Sequence, residues 1–137
     1  MAEHNDADIA KWPTLVATAI SLATLQGAGA VLTATFNVGS TLPTNARLLA
    51  AEINVTQAFA GTGFATAVAT LQGGSDAAGT IRASTSIAAT GLVAPVGSNP
   101  YLSRSGQQIK VTVTLTGCNL NALTAGAFTV NVYYSVL

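Results

Sequence analysis

Few side chains in this chain of 137 residues could do acid–base or nucleophilic chemistry. There is one histidine, His4, and one cysteine, Cys118, so no internal disulfide can form. A Ser-His-Asp triad needs a histidine that the fold holds in place, and a reactive thiol needs a nearby base or cation. His4 lies in a charged N-terminal stretch, far along the chain from Cys118. We therefore expect a solvated His4 and a small, partly buried, apolar Cys118.

Paired carboxylates and metal-binding patterns are also missing from the sequence. Only Glu52 and Asp76 lie outside the N-terminal stretch. Glu52 falls on the polar side of a predicted strand, and Asp76 lies in a Gly-Gly-Ser-Asp turn, where aspartate accepts local backbone hydrogen bonds. No Cys/His pair, Asp-x-Asp calcium loop or glycine-rich phosphate loop occurs. The sequence predicts no catalytic residue, no metal site and no cofactor, and thus no enzyme.

The composition is unusual for its low charge. Charged residues make up 7% of the chain, against about 25% in an average soluble domain, and the net charge is zero. Such a neutral surface favours association, which indicates a homo-oligomer or a larger assembly. Five Lys and Arg cannot provide the basic surface that nucleic acids require. Residues 14–36 carry no charge, but six Ser and Thr, Gln26 and a Gly-Ala-Gly break argue against a transmembrane helix.

Alternation of apolar and polar residues with a period of two is the main structural signal, and it predicts half-buried strands. Predicted strands cover residues 31–38, 47–58, 65–72, 80–87, 107–116 and 128–137, and residues 14–25 fit either a strand or a helix. The residues expected to face the core in the three clearest strands are Leu49, Ala51, Ile53 and Val55; Ile109, Val111, Val113 and Leu115; and Phe128, Val130, Val132, Tyr134 and Val136.

The number and spacing of these strands predict the fold class. Seven or eight short strands with regular turn signals are typical of an all-β, single-domain, antiparallel β-sandwich. Loops at 39–46 and 91–106 are long enough to cross between two sheets, which favours a jelly-roll-like path. Residues 1–13, which hold Glu3, Asp6, Asp8 and Lys11, form a charged N-terminal arm, and residues 14–137 form the β-sandwich domain.

The second half of the chain carries a family resemblance. The stretch Asn99 to Gln108 reads Asn-Pro-Tyr-Leu-Ser-Arg-Ser-Gly-Gln-Gln, and a Thr/Val strand follows it. Then come Asn-Leu-Asn-Ala-Leu-Thr-Ala-Gly at 119–126 and Val-Tyr-Tyr at 132–134; Gly-Gly-Ser-Asp at 73–76 and Gly-Thr-Ile at 79–81 precede them. Over residues 45–137 the chain resembles small structural proteins of tailed bacteriophages.

The resemblance implies a virion protein, made in the host cytoplasm, of the head decoration or cement type. Such proteins are typically jelly-roll-like and often trimeric on the capsid surface, where the partner is the major capsid protein. The family has no catalytic residues. We expect the arm and the loop 91–106 to bind the capsid, with interface contacts at Trp12, Tyr101 and Arg104.

Two alternatives remain open at the level of the sequence. A tail, collar or fibre-associated phage module would have the same fold class and composition. A carbohydrate-binding β-sandwich module, or a small hydrolase of the same fold class, would need an exposed aromatic platform or paired acids. One Trp, three Tyr and four Phe are available for such a platform, and most of them alternate into the predicted core.

Overall fold

A computed structural model describes residues 13–73, 80–93 and 106–136 of the chain. These residues form eight strands, one short α-helix and one turn of 3-10 helix. In chain order they are β1 (Thr14–Ile20), α1 (Leu22–Gln26), β2 (Thr33–Val38), β3 (Ala46–Gly61), β4 (Thr66–Gly73), β5 (Thr80–Ser86), β6 (Gly91–Val93), β7 (Ile109–Thr116), the 3-10 helix (Leu120–Ala122) and β8 (Leu123–Val136).

The strands form two antiparallel sheets of four. The first sheet has the order β1-β8-β3-β6 and the second has the order β2-β7-β4-β5. The last four strands pair in reverse order with the first four: β8 with β1, β7 with β2, β6 with β3 and β5 with β4. Two further ladders, β3 with β8 and β4 with β7, complete the sheets. This winding is a jelly roll, so the predicted all-β sandwich is confirmed.

The core lies between the two sheets, as the alternation predicts. All four apolar residues of β7 that were expected inside are buried, and so are Ala67, Ala69 and Leu71 of β4. Phe128, Val130 and Val132 of β8 face them from the first sheet. Phe59 stacks on both Phe64 and Phe128, with ring centroids 6.4 Å apart in each pair.

A bulge changes the inward side of β3. The ladder to β8 pairs Leu48 with Tyr134 and then Ala50 with Tyr133, so Leu49 is an extra residue. Leu48 is therefore buried, whereas Leu49 is only half-buried. The prediction that Leu49 faces the core and Leu48 faces outward was wrong at these two positions. From Ala51 to Val55 the predicted alternation is correct.

Other differences lie at element ends. Ser135 is buried and Val136 is exposed, which reverses the predicted pattern for the last residues of β8. The predicted loop 91–106 begins with the short strand β6, which pairs with β3. Residues 14–25 contain both predicted structures: β1 ends at Ile20, and α1 follows because the Ser21 side chain accepts a hydrogen bond from the backbone N–H of Thr24.

Gly117 and Gly63 allow two turns to approach closely. Gly117 has φ +92°. A Cβ on it would clash with the carbonyl oxygen of Gly63 and would lie 2.8 Å from the backbone N of Ala65. Gly63 has φ +80°. Only glycine combines this backbone conformation with this contact at little cost. The pair sets how the end of β7 meets the start of β4.

We expect Gly117→Ala to lower the free energy of unfolding by about 3 kcal/mol or more, since it adds a backbone clash to an unfavourable φ. Gly29→Ala is the matched control, because Gly29 has φ +90° but a Cβ added to it would meet no atom within 4 Å. That variant should lose only about 1–2 kcal/mol. Urea unfolding of both variants gives the comparison. Equal losses would show that the contact with Gly63 is unimportant.

Candidate functional surfaces

Most of the residues singled out in the sequence lie outside the part that the structure describes. Trp12, Tyr101 and Arg104 are among them, so their predicted contacts are untested. Cys118 is buried as a free thiol, in agreement with its expected packing role. Within residues 13–73, 80–93 and 106–136, no group of three or more His, Cys, Asp or Glu could hold a metal ion. In the same ranges, no helix has the length and apolar character needed to cross a membrane.

Seven threonines lie on the outer side of the second sheet, around Val68 of β4. We call this surface the threonine face, and it consists of Thr33 and Thr35 on β2, Thr112, Thr114 and Thr116 on β7, and Thr66 and Thr70 on β4. The strand registers place these residues opposite one another across β2, β7 and β4. Residues that are directly opposite in an antiparallel pair project on the same side, so the threonines form one array.

Hydrogen bonds between the strands hold this array. Thr33 Oγ1 donates to Thr114 Oγ1 at 3.2 Å, and the hydroxyls of Thr35 and Thr112 lie 2.9 Å apart. Thr66 and Thr116 form a third pair. β-Branched side chains have few rotamers, so the surface is rigid as well as neutral. In these three pairs the hydroxyls bond one another rather than a base that could activate them as nucleophiles.

A polar group occupies the outer side of the first sheet. Glu52 of β3 accepts hydrogen bonds from Asn131 Nδ2 at 3.2 Å and from the Tyr133 hydroxyl at 3.4 Å. It is the only carboxylate side chain in the described ranges, so it has no second acid there with which to share acid–base chemistry. Ala17 lies in the same row across β8, and Leu15 lies beside Tyr133. The group thus places one carboxylate on a face that carries both apolar and uncharged polar side chains.

The sequence showed only part of these two surfaces. The period-two pattern of Thr112, Thr114 and Thr116 was visible, but their partners on β2 and β4 depend on the strand order. Glu52 was correctly expected on the polar side of its strand. Its donors are 79 and 81 residues away, so no local pattern could identify them.

We expect Tyr133→Phe to lower the free energy of unfolding by about 1 kcal/mol, because it removes the hydroxyl that donates to Glu52. The loss should disappear when Glu52 is already Ala, since the acceptor is then absent. Tyr134→Phe is the control; within the described residues its hydroxyl has no hydrogen-bond partner, so the change should stay within about 0.5 kcal/mol. Denaturant unfolding of the natural protein, Tyr133→Phe, Glu52→Ala and the double variant provides the double-mutant cycle. An unchanged loss in the Glu52→Ala background would contradict the pairing.

Comparison with known proteins gives a fold and no sequence family. No protein-family model and no curated protein matches the chain. A chain of the cyanophage Pam1 capsid asymmetric unit has a similar structure, with a TM-score of 0.55 and 16% identity, over 91% of this chain and 84% of that one. A chain of the acid-stable capsid of Helicobacter pylori bacteriophage KHP30 matches with a TM-score of 0.52 and 13% identity, over 90% and 86%. At these identities the similarity establishes a shared fold.

Proposed function

We propose that this chain is a structural protein of a bacteriophage virion, and more specifically a decoration or cement protein on the outer surface of the head. The observation that carries the proposal is that a single jelly roll, over nearly the whole chain, has the fold of chains in two phage capsids. Jelly rolls also serve other functions, so the fold alone is insufficient. The chemistry of the surfaces supplies the second argument.

Both outer faces suit contact rather than catalysis. The threonine face is rigid and its paired hydroxyls bond one another, with Lys110 at one end of it. The face around Glu52 carries one carboxylate held by two hydrogen bonds. A cement protein bridges neighbouring shell subunits and adds buried area across their boundary. Because it binds the assembled shell and not its separated parts, it stabilises the shell by mass action. Neutral, rigid surfaces meet this requirement with little loss of side-chain entropy.

The proposal assigns self-association and capsid binding to different parts of the chain. Residues 14–137 form the domain, which associates with further copies, three in all, through its neutral threonine- and alanine-rich faces. Residues 1–13 and the loop 91–106 then contact the major capsid protein, with Trp12, Tyr101 and Arg104 as the predicted contacts. The low overall charge supports association of this kind, since few charged groups have to lose water.

We expect the purified protein to bind saturably to DNA-free heads of its parent phage and not to dissociated shell subunits, as measured by co-sedimentation. Heads that carry it should resist heat better than bare heads. Deletion of residues 1–13 should reduce the amount of protein bound to the heads at least tenfold, because it removes the proposed capsid-binding arm. The thermal unfolding of the protein itself should stay unchanged. Full occupancy after the deletion would remove the arm from the proposal.

Electron microscopy of virions in which this protein is labelled tests its location. Label on the tail, the collar or the fibres instead of the head would favour the other phage module.

The carbohydrate-binding alternative has little support in the described ranges, where Tyr133 is the only aromatic ring on an outer face and its hydroxyl already bonds Glu52. A glycan array provides its direct test.

We expect Thr112→Lys to reduce the native mass, measured by light scattering after size exclusion, if copies associate through the threonine face. Thr112 lies in the middle of that face, and the new charge would lose its water at the contact. Thr112→Ser retains a hydroxyl and is the control. The expected result is that Thr112→Lys has one third of the native mass of the natural protein and of the control. Equal masses for all three would show that copies associate elsewhere.

A further inference from the structure

The two sides of the sandwich end in different kinds of edge strand. On one side the sheets end in β1 and β2, and on the other side they end in β6 and β5. The edges β1 and β2 lie close together, since a Cβ on Gly39, just after β2, would approach Val16 Cγ1 of β1 to 2.7 Å. An edge strand presents unpaired backbone N–H and C=O groups, and folded proteins normally protect such an edge from further pairing.

The β5/β6 side is protected in two of the usual ways. The strand β6 has only three residues, and the ladder between β4 and β5 contains two register shifts. Both features limit the pairing of another strand, because a short or irregular edge offers few hydrogen bonds in register. This side of the molecule is a poor place for strand addition.

The edge of β1 has none of these protections. Its seven residues, Thr-Leu-Val-Ala-Thr-Ala-Ile, include no charge, proline or glycine. They pair with β8 in one unbroken register, so the strand is regular along its whole length. The outward side chains of Leu15, Ala17 and Ala19 are exposed, Leu15 by 51%. In the part of the chain that the structure describes, no strand lies on the other side of β1.

We propose that β1 pairs antiparallel with β1 of a second copy, about a two-fold axis at Ala17, so that the two first sheets become one sheet of eight strands. The pairing puts Leu15 opposite Ala19 of the partner subunit on the outer face and Val16 opposite Thr18 of the partner subunit on the inner face. Large side chains thus meet smaller ones, and Ala17 meets its own copy at the axis. A two-fold contact of this kind is self-complementary.

Charge and distance also favour a second copy as the partner. Any partner that pairs with β1 needs an unprotected edge strand of its own. A second copy of this chain supplies such a strand in its own β1, which carries no charge. In the joined sheet the two Glu52 residues are five strand spacings apart, which is about 24 Å. This exceeds the Debye length of about 8 Å at physiological salt, so the like charges do not oppose the contact. The contact is independent of the virion proposal and of the threonine face.

A cysteine cross-link tests the contact directly. Opposite residues in an antiparallel pair have Cα atoms about 4.5–5.5 Å apart, which is within the range of a disulfide. Ala17→Cys should therefore give a two-chain band on a non-reducing gel when oxidised glutathione accepts the two electrons from the thiols. Asn54→Cys, exposed on the same face but on β3, is the matched control, and Cys118 is buried in both. Cross-linking of Ala17→Cys no greater than that of the control would overturn the proposal.

Charge complementation provides a second test that does not depend on oxidation. Ala17→Lys and Ala17→Glu each place like charges together at the axis, so each variant alone should lose the two-fold contact. An equimolar mixture of the two should regain it, whereas Asn54→Lys should behave as the natural protein does. Circular dichroism confirms that each variant is folded. Failure of the mixture to associate, with both variants folded, would overturn the proposal.

The native mass separates this contact from the predicted three-fold association. A two-fold contact alone gives two chains, and a two-fold contact combined with a closed trimer gives six. Both results support pairing through β1. A mass of three chains would support the trimer and overturn the β1 contact, and a mass of one chain at micromolar concentration would contradict both.

Discussion

The ladder between β3 and β8 is the constraint on which the rest of the structure depends. It runs from the Ala46–Val136 pair to the Gly61–Leu123 pair and joins the first half of the chain to its end. β1 and β6 are added on its two sides, and Gln26 after β1 donates a hydrogen bond to the Leu123 carbonyl at 2.7 Å. Because these pairings join distant residues, the sheet forms only after large loops close.

Register shifts in the same ladder change which side chains of β3 face the core. The bulge at Leu49 turns Leu48 into the core, and further register shifts follow toward Gly61. Near that end, Gly126 has φ +144°, and a Cβ there would lie 2.9 Å from the Phe59 ring. The missing side chain leaves room for Phe59 between Phe64 and Phe128. The aromatic cluster at this end of the sandwich thus depends on a glycine in the opposite strand.

The two outer faces reflect the low charge of a chain in which half the residues are hydrophobic. One sheet presents hydroxyls that bond each other, and the other presents aliphatic and uncharged polar side chains around the Glu52 carboxylate. The edge β1 is left without the charges or bulges that usually prevent strand pairing. All three features suit a protein whose surface becomes covered in an assembly.

The sequence alone determined the fold class, because alternation with a period of two is a local property and β7 shows it without interruption. It also determined that acid–base and metal-binding groups are scarce, since this follows from counting residue types. Only the tertiary structure decided which strands are neighbours and where the alternation changes sides. The positions of Leu48 and Ser135 depend on local pairing with the opposite strand, which the residues themselves do not encode in any short pattern. The threonine face, the partners of Glu52 and the open edge at β1 likewise exist only once residues more than 40 positions apart are adjacent. That adjacency comes from packing two sheets around one core.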